Sequence, residues 1–225
     1  MKKIVTFLIL SSFFVGFSQT KTIQLNEVVI ELPKMTKEVE VGGARRKAFW
    51  HHNSGTNFIF CKHFEFKSEY KQTKFIKNVV VFTKSRIKKA TFKIFVYAAN
   101  DDGSPGEELT KNGLIVETKK GNQKNYIDVS YLQLRFPESG IFVGYQWILD
   151  EANKVEEENY YDGFKNVNKL TYGYQPYLIL NPADIDFTYR FFDNKWQKTQ
   201  RFKNSNINLI EGKCNEPAIN LVLTN

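Results

Sequence analysis

Cysteine and histidine are scarce: two of the first and three of the second among 225 residues. No Cys-x-x-Cys pair occurs, so the paired-ligand zinc patterns are excluded. No serine stands in a Gly-x-Ser-x-Gly elbow, and neither cysteine carries a local nucleophile signature. No apolar run beyond the first residues is long enough to span a bilayer, which needs ~20 residues. Few stretches show an i, i+3, i+4 apolar face, which leaves little room for core helices.

What is present begins with the leader. Lys2 and Lys3 precede an apolar run over 4–17, followed by polar Ser18-Gln19-Thr20-Lys21. This is the layout of a secretory signal peptide covering residues 1–19, with cleavage near Ser18 or Gln19. The expected compartment is the periplasm or the cell surface. Two of the 32 Lys and Arg residues leave with the leader, so the bases outnumber the 24 acids by about six. Lys71, Lys74, Lys77, Lys84, Arg86, Lys88, Lys89 and Lys93 lie within one short span, and Glu156-Glu157-Glu158 forms an acidic patch. Such a basic exported protein could lie against an anionic lipopolysaccharide or acidic polysaccharide. Equally, lysines on strand faces and edges block edge-to-edge aggregation. Export removes the usual nucleic-acid partner, and no nucleic-acid-binding motif occurs.

The period-2 signal is strong. Phe58, Phe60, Phe64 and Phe66 alternate with Ile59, Cys61 and Glu65. Further strands are predicted over 74–83, 90–98, 113–117, 125–129, 140–149, 172–180, 186–192 and 218–223, separated by Asn-Asp-Asp-Gly, Pro-Glu-Ser-Gly, Tyr-Asp-Gly and Asn-Pro turns. This spacing predicts an all-β, antiparallel two-sheet sandwich with jelly-roll-like connections over residues 49–225. An immunoglobulin-like strand order is an alternative. Residues 20–48 read as an N-terminal strand (22–31) and a polar, glycine-bearing linker.

Several clusters could carry chemistry. Asn100, Asp101 and Asp102 beside Gly103 offer oxygen ligands to calcium, but lack the later ligands of an EF-hand; local Asx bonding in a turn is the competing reading. His51, His52, Cys61 and His63 fall close together without a zinc spacing. Glu107 with Glu108, or Asp184 with Asp186, are carboxylate pairs of a kind that is common without catalysis. No cofactor is implied. Cys61 and Cys214 are far apart in sequence; a disulfide that closes most of the domain and two separate buried thiols are both open. The richest binding candidate is the segment 160–177. There Tyr160, Tyr161, Asp162, Tyr172, Tyr174 and Gln175 place aromatic faces beside amide and carboxylate groups, a combination suited to sugar rings. Trp196, in the polar run Asp193-Asn194-Lys195-Trp196, is the more exposable tryptophan, whereas Trp147 reads as core.

The Asn100–Leu109 turn region, Ile127-Asp128-Val129-Ser130 and Pro137-Glu138-Ser139-Gly140-Ile141-Phe142-Val143-Gly144, in this order, resemble a group of exported proteins of Gram-negative bacteria to which no activity is assigned. The likeness covers residues 49–225. Some members of that group carry a carboxypeptidase-regulatory-like domain in front, ending in a segment similar to Leu25-Asn26-Glu27-Val28-Val29. The resemblance implies that this front domain is missing here and transfers no catalytic residue. The sequence thus points to a non-catalytic binding protein, with an envelope protein or a glycan as partner.

Overall fold

The computed structural model describes residues 33–45, 49–157, 161–162, 165–166, 171–203 and 211–225. Among them run fifteen strands: β1 (Glu38–Val41), β2 (Phe49–Asn53), β3 (Ile59–Phe64), β4 (Phe75–Ala99), β5 (Pro105–Glu108), β6 (Leu114–Asp128), β7 (Ile141–Trp147), β8 (Lys154–Glu157), β9 (Tyr161–Asp162), β10 (Lys165–Asn166), β11 (Thr171–Ala183), β12 (Phe187–Phe192), β13 (Lys195–Gln200), β14 (Cys214–Pro217) and β15 (Ile219–Thr224). The architecture is an antiparallel all-β sandwich, as the alternation predicts, not closed into a barrel.

Two of its strands are longer than the sequence reading. The expected pairs 74–83 with 90–98, and 113–117 with 125–129, are fused into β4 and β6. The polar residues between them neither end the strands nor form loops. β4 stays paired with β6 on both sides of a register shift between Ser85 and Lys89. That irregularity bends the ribbon and passes it from one layer to the other. The first half of β4 pairs with β15, and β15 with β1. At Thr83 and Lys84, β11 takes the place of β15 and carries β2 on its far side. The second half of β4 pairs with β7, which continues through β3 and β12 to β13.

Glu38–Val41 lies within the predicted linker, yet it is an edge strand of the first layer. The strand expected over 22–31 lies outside the described residues.

The central core lies between the layers. Ile76, Val79 and Val81 come from the first half of β4, and Phe92, Ile94 and Val96 from the second. They meet Phe60, Val143, Tyr145, Leu178, Ile219 and Leu221. All are buried, and each such side chain contributes about 1.5–3 kcal/mol on removal from water. Two polar atoms that enter this core share one acceptor: Tyr145 Oη and Trp147 Nε1 both donate to the Pro176 carbonyl, at 3.1 and 2.9 Å.

A second apolar cluster sits on the other face of the second layer, formed by Ile59, Cys61, Phe95, Tyr97, Phe142 and Tyr189, with Phe191 and Trp196 packed on it. Gly144 makes room for it: a Cβ there would lie 2.6 Å from the Ile59 side chain and 3.1 Å from Cys61 Sγ.

Candidate functional site

The residues proposed for ligand binding fall in four places. Tyr160 lies outside the described residues. Tyr161 and Asp162 form β9, which pairs with Lys165 and Asn166 of β10. Tyr172 and Tyr174 share one side of β11, because they are two residues apart on a strand. Tyr172 is 45% exposed, with Lys154 Nζ 4.6 Å from its ring centre. Tyr174 is half-buried and leans on the central core.

Gln175 corrects the sequence reading. It is fully buried, its Oε1 accepts from the Arg86 backbone N–H at 2.9 Å, and no ligand arriving from solvent reaches it. Trp196 is a second correction. The reading placed it in a polar turn, but the turn is Asp193-Asn194, both at positive φ, and Trp196 lies on the returning strand. Its ring packs against Tyr97 and Phe191, each at 5.1 Å, away from the Tyr172 segment.

At Asn100 and Asp102 the side chains act locally, and Asp101 is exposed. Asp102 accepts from the Ser104 N–H at 2.9 Å and from its hydroxyl at 2.6 Å, and these bonds hold its carboxyl below the ordinary range. Asn100 Nδ2 donates to Ser104 Oγ at 3.0 Å. This is Asx-type turn bonding. No group of three or more His, Cys, Asp or Glu side chains converges among the described residues.

The histidines and cysteines are similarly occupied. His51 packs edge-on to Trp147 at 5.6 Å, and burial pushes its pKa down to about 4. His63 stacks on Phe142 at 4.5 Å. Of the two readings open for Cys61 and Cys214, the structure has the second: both are free, buried thiols. Burial raises the Cys61 thiol well above its usual value.

Three of the four paired carboxylates have partners of their own. Glu108 accepts from Thr110 Oγ1 and from the Gly113 N–H, both at 2.8 Å. Asp186 pairs with Arg201 at 3.0 Å, and Asp184 lies 3.9 Å from Lys213.

Sequence reasoning missed the outer face of the first layer. Antiparallel register puts Phe82 and Lys124 opposite each other, as it does Val80 and Tyr126, and Ile179 and Trp50. Directly opposed residues share a face. Val80, Phe82, Ile179, Ala218 and Val222 form a buried strip there, with Ala44 packed on it. Beside the strip, Trp50 is 55% exposed with Lys84 Nζ 4.0 Å from its ring centre, and Tyr126 is 57% exposed with Lys124 Nζ at 4.9 Å. Lys124 also pairs with Glu40 at 2.9 Å. The available signal was alternation: Lys124 with Tyr126, and Phe82 with Lys84, recur at a spacing of two.

Comparison with family models, with curated proteins and with solved structures finds no match for this chain.

Proposed function

We propose that this chain is an exported, non-catalytic binding protein of the periplasm or cell surface, which docks on an envelope partner through the outer face of its first layer. The observation that carries this reading is the pairing of exposed rings with lysines, Trp50 under Lys84 and Tyr126 under Lys124, beside a buried apolar strip. Aromatic rings stack on the apolar faces of sugars, while ammonium groups answer carboxylates or phosphates. An anionic envelope glycan presents both. The excess of basic residues favours the same partner class over long range. Of the carboxylates considered for catalysis, Glu108 is engaged in turn bonds and Asp184 and Asp186 in ion pairs, which supports a non-catalytic role.

The test is binding of the purified protein to a panel of envelope polysaccharides, lipopolysaccharide included, with the Trp50→Ala/Tyr126→Ala variant beside it. Saturable binding that the double variant loses at unchanged melting temperature is the expected result. Undiminished binding by that variant would refute the outer face as the docking surface.

A carbohydrate-binding module using the segment 160–177 is the second reading, favoured by the exposure of Tyr172. It predicts loss of the same affinity in Tyr172→Ala and none in the outer-face variant.

A further inference from the structure

Polar groups buried without a partner are rare in folded proteins and invite an explanation. Among the described residues four such atoms occur: Gln175 Nε2, Thr188 Oγ1, Arg190 Nε and Asn215 Oδ1. Thr188 and Arg190 are two apart on β12 and so share a face. Asn215 belongs to β14, which packs beside both β12 and β3. Thr188 lines a cleft at the start of β12, whereas Arg190 and Asn215 do not.

At this place the interior also holds a buried lysine. Lys62 is 4% exposed, and its Nζ lies 2.7 Å from Glu216 Oε1 and donates to the Gly42 carbonyl at 2.7 Å. A third N–H remains on that ammonium. A cleft of about 800 Å³ opens over this pair, lined by Lys62, Phe64, Phe142, Phe187, Thr188 and Glu216. That volume lies in the range of small-molecule sites, ~300–1,000 Å³. Phe187, 37% exposed, offers an apolar face at the border of the cleft, and Phe142 is buried beneath the stacked His63 ring.

Charge decides the class of ligand. Lys62 is balanced by Glu216, Arg201 by Asp186, and Asp184 has Lys213 near it. Glu65 and Lys67 add one charge of each sign at the rim. No charge is left over to attract an ion, yet the paired groups retain free lone pairs and N–H bonds. Thr188 adds a hydroxyl, both donor and acceptor, that has no partner among the described residues. A ligand rich in hydroxyls, neutral overall, with an apolar face for the phenyl rings, matches all three conditions.

We propose that this cleft, with Lys62, Thr188 and Glu216 as its polar floor, binds a neutral sugar unit of mono- or disaccharide size. The site is separate from the outer face of the first layer, and the two readings fail independently. Thr188 supplies a hydrogen bond to a sugar hydroxyl, and the Lys62–Glu216 pair supplies a donor and an acceptor side by side. One ring face of the sugar rests on Phe187.

The experiment is saturation-transfer NMR and calorimetry on the purified protein with cellobiose, maltose, lactose and N,N′-diacetylchitobiose as probes, and glucuronate and glucosamine as charged controls. Thr188→Val removes the hydroxyl at constant shape, and Thr188→Ser restores it. At least one neutral disaccharide should bind, with a loss of about tenfold in affinity in Thr188→Val, the scale of one hydrogen bond, and recovery in Thr188→Ser. Because the hydroxyl has no partner among the described residues, the melting temperature of Thr188→Val should hold or rise. The proposal is overturned if no neutral probe binds, if affinity is the same in Thr188→Val, or if a charged control binds more tightly than every neutral sugar.

Discussion

The ring of Trp196 stands edge-on to the ring of Tyr97, with 5.1 Å between centres, although their strands are four places apart in the sheet. Four steps across a flat sheet span ~19 Å. The second layer must therefore curl until its last strand lies over the face of β4, and the cluster of Phe95, Tyr97, Phe142 and Tyr189 fills the curl. Trp196 closes it. Trp196→Ala should lower stability by about 2 kcal/mol, less than a full core truncation because the ring is half-buried. A urea-denaturation midpoint equal to that of the parent would show that the curl holds without it.

The Lys62–Glu216 pair makes a prediction of different character. Removing one member of a buried pair strands the other charge at a cost of about 3–5 kcal/mol, whereas replacing both by apolar residues is often neutral. Glu216→Ala should thus destabilise strongly, and Lys62→Met/Glu216→Leu should recover most of the loss. If the double variant is as unstable as the single one, the pair contributes more than mutual neutralisation.

His51 ties stability to pH. Its folded pKa, about 4, lies below the ordinary 6.5, because burial disfavours the imidazolium. Above pH 6.5 the ring is neutral in both states, and the stability is fully present. As pH falls from 6.5 towards 4, the unfolded chain takes up a proton that the folded one refuses, and up to about 3 kcal/mol is lost. His63, lowered in the same direction by burial, adds to the slope. Chemical denaturation between pH 7 and pH 4 should show a shallower decline for His51→Gln than for the parent; identical slopes would relieve His51 of this role.

The cysteines make a simple count. Unfolded, unreduced protein should titrate as two free thiols per chain, and the native protein should react slowly because both are buried. Zero thiols on unfolding would mean a covalent bond between Cys61 and Cys214.

The sequence showed the strands well where their two faces differ. Phe58, Phe60 and Phe64 alternate because one side meets the central core, and that contrast is visible in the chain itself. Ser85-Arg86-Ile87-Lys88-Lys89 gave no such contrast. At the bend between layers these residues leave the central core, so a continuous strand there reads like a loop. Glu38–Val41 did alternate, Glu-Val-Glu-Val, and was hidden by the polar, glycine-bearing residues around it. Trp196 was misplaced because Lys195 follows Asp193-Asn194 and extends the polar run, while the turn itself needs only those two positive-φ residues. The polar site between β3, β12 and β14 was beyond reach for a different reason. Lys62 and Glu216 are distant in sequence, and a buried lysine looks like any other lysine until the strands are folded together.

β4 belongs to both layers, and this bears on how the protein comes apart. A sandwich built from two separate sheets could in principle loosen one while keeping the other. Here the amides of Val79 and Val96 sit on a single ribbon, paired with β15 at one end and β7 at the other, and β6 runs alongside it from Asn78 to Ile94. Peeling either layer strips one half of a strand that the other layer still holds. The molecule should therefore open as one cooperative unit, with amide exchange along β4 limited by global unfolding. Its folding should be slow, since the first half of β4 completes its pairing only once Ile219–Thr224, more than a hundred positions downstream, has arrived.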